Sequence, residues 1–480
     1  MKRVHWGFFD QVLSSATNFA LSVAVARQVD PRAFGAFGVA LTAYILATGL
    51  SRAVVSEPLL VGFSAAPDHI RRQGFADATG TSLVLGVVGG AVCLAGAWAV
   101  GGPVFAPMVA LGVMLPLLLL QDAWRYAFLA GGRPKAAAVN DGVWAIAQVV
   151  TIAVCVVAGS RSAGPYVLAW AAAAAVAALY GIRQAGVVPR ISRTAAWLRA
   201  QREQAPRYSA EFVARAGAQQ AATVAVGAVA GLAALGGIRA AQALLGPLRV
   251  FLLAAPLVFI PEAVRLREED PARVLGLVRR VSFGLAGLAL LAGVVSLALP
   301  DSLGRALVGQ SWELARPALL PQAVLMATIG INAGALAGLR ALSDPRRSLR
   351  ARLSVVPLSI LGGVGGALLT GTAAGALWGL AAGNAAGAAI WWVLFKRSLD
   401  EFESGRRLVA PLPDLVVLGA GVEAGQHGPG GRGDDGGLVV LPREIPHRIQ
   451  RVEPHLGDEL DLVADIPAQH LDGPEPGDGP

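Results

Sequence analysis

Apolar runs of about 20 residues recur along this 480-residue chain, and its charges are crowded into the short segments between them. That length matches a helix crossing a hydrocarbon core of about 30 Å at 1.5 Å per residue. In lipid, only helices and closed barrels satisfy every backbone group internally. The runs lack the period-two alternation of barrel strands, which leaves helices. Composition agrees: 55% of the residues are hydrophobic and 15% charged, against about 25% charged in an ordinary soluble domain.

The pattern predicts an all-α polytopic membrane protein with about twelve spans. They fall near 7–27, 35–62, 79–100, 104–130, 138–158, 164–182, 209–231, 237–264, 279–300, 317–341, 352–371 and 373–395. The last two are separated only by Thr370–Thr372 and read either as two spans or as one re-entrant unit. A basic connection over 183–208 divides the chain into two six-helix bundles, 1–182 and 209–396, in a parallel pseudo-repeat. Orientation follows from the loops: one side holds 25 Lys and Arg, including Arg71, Arg72, Arg133 and Lys135, and the other holds five. Positive charge stays inside, so both termini are expected in the cytoplasm.

Residues 1–410 carry 36 Lys and Arg against 19 Asp and Glu, whereas 411–480 carry 4 against 13. The basic balance therefore belongs to the membrane part, where anionic lipid headgroups, not nucleic acid, are the expected partner. The segment 397–480 reads as an acidic, Gly- and Pro-rich disordered cytoplasmic tail. Cys93 and Cys155 fall inside apolar spans and read as small core residues. Lys2 and Arg3 before an apolar stretch mimic a signal peptide, but Asp10, Gln11 and Asn18 interrupt it, so a retained first helix is expected.

The first helix of each half carries a polar stripe: Gln11, Ser14, Ser15, Asn18 and Ser22, then Glu211, Arg215, Gln219 and Thr223. Steps of three and four put each set on one face. A charge at the bilayer centre costs about 2.5–3.5 kcal/mol even on low estimates, so Arg52, Arg215, Arg239 and Arg249 must face a cavity or a partner. Together they suggest a cationic cavity for a phosphate-bearing guest, because guanidinium is always charged and grips phosphate with two bonds. Gln11, Ser15, Asn18 and Gln219 would line it, with Asp10, Glu57 and Glu262 as candidates for ion coupling. The competing structural expectations are local: Arg52 paired with Glu57 or Glu262, Asp122 with Arg125, and Arg239 snorkelling to an interface. Gly246-Pro247 should break the eighth span.

Gly371, Gly375, Gly379, Gly383 and Gly387 form a four-residue ladder, which removes side chains from one helix face and reads as packing. No P-loop, metal-ligand pair or nucleophile–base set is present, so neither enzyme chemistry nor a cofactor or metal is expected.

Several segments resemble a known family. They are Trp6-Gly7, Asp10-Gln11, Ser14-Ser15 and Asn18-Phe19, then Phe34-Gly35-x-Phe37-Gly38 and Ser56-Glu57-Pro58. Gln121-Asp122-x-x-Arg125-Tyr126, Gly132-Arg133-Pro134, Asn140-Asp141 and Trp144 continue the likeness, which spans roughly 5–400 and is densest over 5–145. These resemble the polysaccharide and O-antigen flippases of the multidrug/oligosaccharidyl-lipid/polysaccharide exporter superfamily. The resemblance implies two bundles around a central cavity in the bacterial plasma membrane. It also implies a polyprenyl-pyrophosphate-linked oligosaccharide as substrate, polysaccharide glycosyltransferases or a polymerase as partners, and a pyrophosphate held by Arg52, Arg215 and Arg249. About twelve spans is two fewer than the lipid II flippases carry. A major-facilitator transporter is disfavoured, since Phe63–Thr79 lacks that family's Gly-x-x-x-Asp-Arg-x-Gly signature. A cation antiporter of the same superfamily would call for acidic residues in the cavity, against the arginine excess.

Overall fold

The computed structural model describes residues 17–213 and 218–405. Asp10, Gln11, Ser15 and Arg215, and the tail beyond 405, lie outside the described residues, and the side chains of Gln219 and Arg249 are likewise not described.

The described chain is helical almost throughout. Helix α1 runs over 17–28, followed by α2 (Pro31–Phe63), α3 (Asp68–Val100), α4 (Gly102–Ala130), α5 (Pro134–Val157) and α6 (Ala163–Ala185). The basic connection contains the short α7 (Thr194–Ala200) and α8 (Ala205–Phe212). Then come α9 (Ala218–Leu244), α10 (Gly246–Glu269), α11 (Pro271–Leu297), α12 (Asp301–Val308), α13 (Trp312–Ala341), α14 (Pro345–Thr370) and α15 (Ala373–Glu403). Among the described residues ten helices are long and apolar enough to cross a membrane, and Val92, Val149, Val154, Leu361 and Leu368 stand exposed on their outer faces. The protein is a multi-pass membrane protein.

Local chemistry sets the helix ends. Asp30 accepts a hydrogen bond from the Ala33 amide at 2.9 Å ahead of Pro31, and Asp344 accepts one from Arg347 at 3.1 Å ahead of Pro345. A short acceptor before a first-turn proline is the favoured start of a helix. The Asp344 cap starts α14 well before the apolar run at 352, and α3 and α11 likewise begin well before those at 79 and 279. The final pair is two full helices of 26 and 31 residues, joined through Gly371 in the left-handed conformation (φ 65). They are not a re-entrant unit.

Two helices meet within α9 at Gly231, whose φ of 84 and ψ of 168 suit glycine alone. A Cβ on Gly227 would lie 3.8 Å from that of Leu235. Eight residues of unbroken helix would separate them by about 12 Å, so the chain turns back here. The break expected at Gly246-Pro247 is present, between α9 and α10.

One turn is built twice. Gly131, Gly132 and Arg133 donate from the backbone to the carbonyls of Ala127, Leu129 and Phe128 at 2.9, 2.9 and 2.8 Å. Leu342, Ser343 and Asp344 donate to Gly338, Arg340 and Leu339 at 3.0, 2.9 and 3.0 Å. Gly132 and Ser343 both have positive φ, and Pro134 and Pro345 open the next helix. The α4–α5 and α13–α14 connections thus share one helix-terminating motif.

Helices α2 and α9 join the two parts of the chain at close range. A Cβ on Gly35 would overlap the Leu232 carbonyl, and one on Gly236 the Pro31 carbonyl. The glycine ladder likewise packs α15 on α14: Gly379 rests on the Gly362 backbone, Gly375 on Gly366 and Gly383 on Leu358. That is the packing surface expected of it.

Candidate functional site

Helix α2 is apolar except at a few positions, and its regular winding changes at Arg52. Residues Arg52–Ser56 form one π-helical turn, in which the Glu57 amide bonds to the Arg52 carbonyl. Wide turns of this kind leave neighbouring carbonyls short of partners and cluster at functional sites. Here the Val54 carbonyl is met by the indole N–H of Trp197 at 3.1 Å, from α7 in the basic connection. Trp197 is buried and stacks on Phe63 with centroids 5.7 Å apart.

The Arg52 guanidinium meets the Asp122 carboxylate of α4. Nη2 donates to Oδ1 at 2.7 Å, and Nε donates to Oδ2 at 3.0 Å and to Oδ1 at 3.2 Å. The cation lies 5.4 Å from the centre of the Tyr126 ring, one turn further along α4. This corrects two expectations. Arg52 does not pair with Glu57 or Glu262, and Asp122 does not pair with Arg125. Glu262 bonds Arg265 at 2.8 Å, and Arg125 lies 3.4 Å from Asp141 of α5. The cause is helix packing: α2 brings Arg52 onto one flank of α4, while α5 brings Asp141 onto the next.

An amide chain runs from the second ion pair across α4, α5 and α6. Gln121 donates to Asp141 at 2.8 Å and to Asn140 at 3.3 Å; Asn140 donates to the Ala177 carbonyl at 2.9 Å and to Gln184 at 3.3 Å. Gln184 closes the chain by donating to the Ala136 carbonyl at 2.8 Å. Two arginine–aspartate pairs thus lie inside a bundle of α2, α4, α5 and α6, and an amide also serves the Asp141 carboxylate. That is the condition for keeping charges inside a low-dielectric interior. The carboxylates are the deeper partners: the side chains of Asp122 and Asp141 are 6% and 8% exposed, those of Arg52 and Arg125 29% and 23%.

The other predicted residues are placed elsewhere. Arg239 bridges the join between α2 and α9, donating to Thr42 at 2.6 Å, to the Gly38 carbonyl at 3.2 Å and to Gln242 at 3.4 Å. From Thr42 to Arg52 along α2 is about 15 Å, so these two arginines do not meet. Glu57 is half-buried on α2, and Asn18 is exposed on α1, its carbonyl accepting the Ser22 hydroxyl. Cys93 and Cys155 are both free thiols, and no group of three or more potential metal ligands occurs among the described residues. An open concavity along α5, lined by Val149, Val150, Ala153, Val154 and Val157, is wholly apolar and offers nothing to a charged guest.

The residues that sequence reasoning passed over are Gln184, Trp197 and the role of Asp122. Polar Gln184 near the end of an alanine-rich span was the available signal.

No family model and no curated protein matches the chain by sequence. Solved structures do match in shape. One is an inward-facing multidrug resistance MATE family transporter of the MOP superfamily, at a TM-score of 0.60 and 11% identity, covering 81% of this chain and 96% of that one. Another is the lipid II flippase MurJ in an inward closed conformation, at 0.59 and 10% identity, covering 84% and 90%. The chain has the fold of these transporters. At such identity the likeness reaches the backbone only, so the chemistry must be argued from the residues above.

Proposed function

We propose that the protein is a flippase that moves a polyprenyl-pyrophosphate-linked oligosaccharide across the bacterial plasma membrane by alternating access. The observation that carries this reading is Arg52: a cation within an apolar span, partly open, on the helix that joins the two parts of a transporter fold. Arg249, Arg215 and Arg239 complete the set of cations proposed to meet the pyrophosphate or its approach. Gln11, Ser15, Asn18 and Gln219 are the proposed polar lining, and Asp10, Glu57 and Glu262 the proposed ion-coupling groups. Two six-helix bundles accord with the reversal at Gly231, which divides α9 between two spans, the second continued by α10; together with α1 this raises the ten long helices to twelve. The loop arginines support cytoplasmic termini. Glycosyltransferases or a polymerase of surface polysaccharide synthesis are the proposed partners, with no role for nucleic acid or for a catalytic step.

A drug or organic-cation antiporter is the second reading, because the fold matches the MATE transporter equally well. It needs a carboxylate free to hold a cation, and Asp122 and Asp141 are each already held by an arginine. In proteoliposomes the wild-type protein should translocate a lipid-pyrophosphate glycan, and Arg52→Ala or Arg215→Ala should slow it at least tenfold. Transport at the wild-type rate in both variants overturns the cationic site.

A further inference from the structure

The side chain of Arg52 offers five N–H donors in one plane. Asp122 uses only those along its side edge, the Nε–H and one Nη2–H. No other hydrogen bond of this guanidinium occurs among the described residues, so the end edge, made of Nη1 and the second Nη2–H, is unused. Tyr126 lies against the plane of the group. The carboxylate is nearly sealed while the arginine is 29% exposed, so the open part of the ion pair is its arginine end. We propose that Asp122 is a positioning residue that fixes Arg52 by its side edge, so that the end edge presents two parallel N–H donors to a phosphate group.

This inference rests on the flippase reading and deepens it. The ion pair carries no net charge, so its attraction for an anion does not come from charge alone. It comes from two hydrogen bonds at a fixed spacing, a geometry that fits two oxygens of one phosphate and not a spherical halide. A lysine at this position keeps the charge and can keep the bond to Asp122, yet it has no second fork. An electrostatic account and a geometric account therefore predict different things for the same substitution.

The test measures binding of inorganic pyrophosphate, of chloride and of a polyprenyl pyrophosphate in detergent micelles to purified protein, with a thermal midpoint recorded for each variant. Wild type should bind both pyrophosphates and prefer them strongly over chloride. Arg52→Lys should weaken both at least tenfold with the midpoint held within about 2 °C, as expected when the ion pair is kept. Asp122→Asn, which keeps the shape and removes the fixed orientation, should cut the preference for pyrophosphate over chloride at least tenfold. A larger loss for the lipid than for inorganic pyrophosphate identifies the lipid headgroup as the ligand; an equal loss for both identifies the pyrophosphate itself, and either supports the proposal. Arg52→Lys binding pyrophosphate as wild type does, or Asp122→Asn with unchanged preference, overturns it. A wild-type protein that binds neither pyrophosphate overturns the flippase reading instead, which separates the two failures.

Discussion

Counting outward from the duplicated turn, Gln121, Asp122, Arg125, Asn140 and Gln184 of α4–α6 correspond to Asn332, Ala333, Leu336, Ala351 and Phe395 of α13–α15. In the first region these side chains form a neutral network of ion pairs and amides. In the second, Ala351 and Phe395 are wholly buried, Phe395 lies on Gly338, and glycine-to-backbone packing holds α15 against α14. At these positions one backbone frame therefore carries a polar network in the first region and mostly apolar packing in the second, whose own buried ion pair, Asp344 with Arg347 at 3.2 Å, sits instead at the turn. An apolar interior stabilises such a frame at least as well as buried charge does. The charges of the first region are then best explained by use, not by folding.

The sharpest way to break this contrast is in the apolar region. A side chain on Gly379 would overlap the Gly362 carbonyl, which cannot swing away as a side chain can. Gly379→Leu should lower stability by about 3 kcal/mol or more, read as a fall in the thermal midpoint in detergent. Asp141→Ala in the charged region removes the Arg125 ion pair and the bond from Gln121 and should cost about 3 kcal/mol. The double variant Arg125→Leu, Asp141→Leu imitates the apolar region and should recover most of that loss; failure to recover would mean that the charges are needed for folding. Trp197→Phe keeps the stack on Phe63 but removes the bond to the Val54 carbonyl, and should cost about 1 kcal/mol. Smallest is Asn332→Leu: the Asn332 Oδ1 is buried without a hydrogen-bond partner among the described residues, so its loss should change stability by less than about 0.5 kcal/mol.

Most of the frame was legible in the residues. Twenty-residue apolar runs located the helices, Gly246-Pro247 marked a break, and the ladder from Gly371 marked the packing face of α15. The helix starts were less legible, because α3 and α14 begin in polar sequence ahead of the apolar pattern, α14 at the Asp344 cap. Arg52 stood out as a cation in a span, yet its partner did not. Asp122 lies 70 residues away, and only the packing of α2 on α4 brings the two together. The nearer Arg125, one helical turn along, drew attention to a pairing that helix α5 pre-empts by supplying Asp141. The π-helical turn had no marker either, since Arg52–Ser56 contains neither glycine nor proline.

The central claim is that a fixed guanidinium on α2 grips the phosphate of a lipid-linked glycan during its passage across the membrane. The direct measurement is the rate at which a polyprenyl-pyrophosphate glycan loaded in one leaflet of a proteoliposome becomes accessible to an impermeant lectin in the other. Wild type should transfer the glycan fast and Arg52→Lys at least tenfold more slowly, with both proteins inserted and equally stable. Transfer by Arg52→Lys at the wild-type rate, or none by wild type above empty liposomes, would contradict that claim.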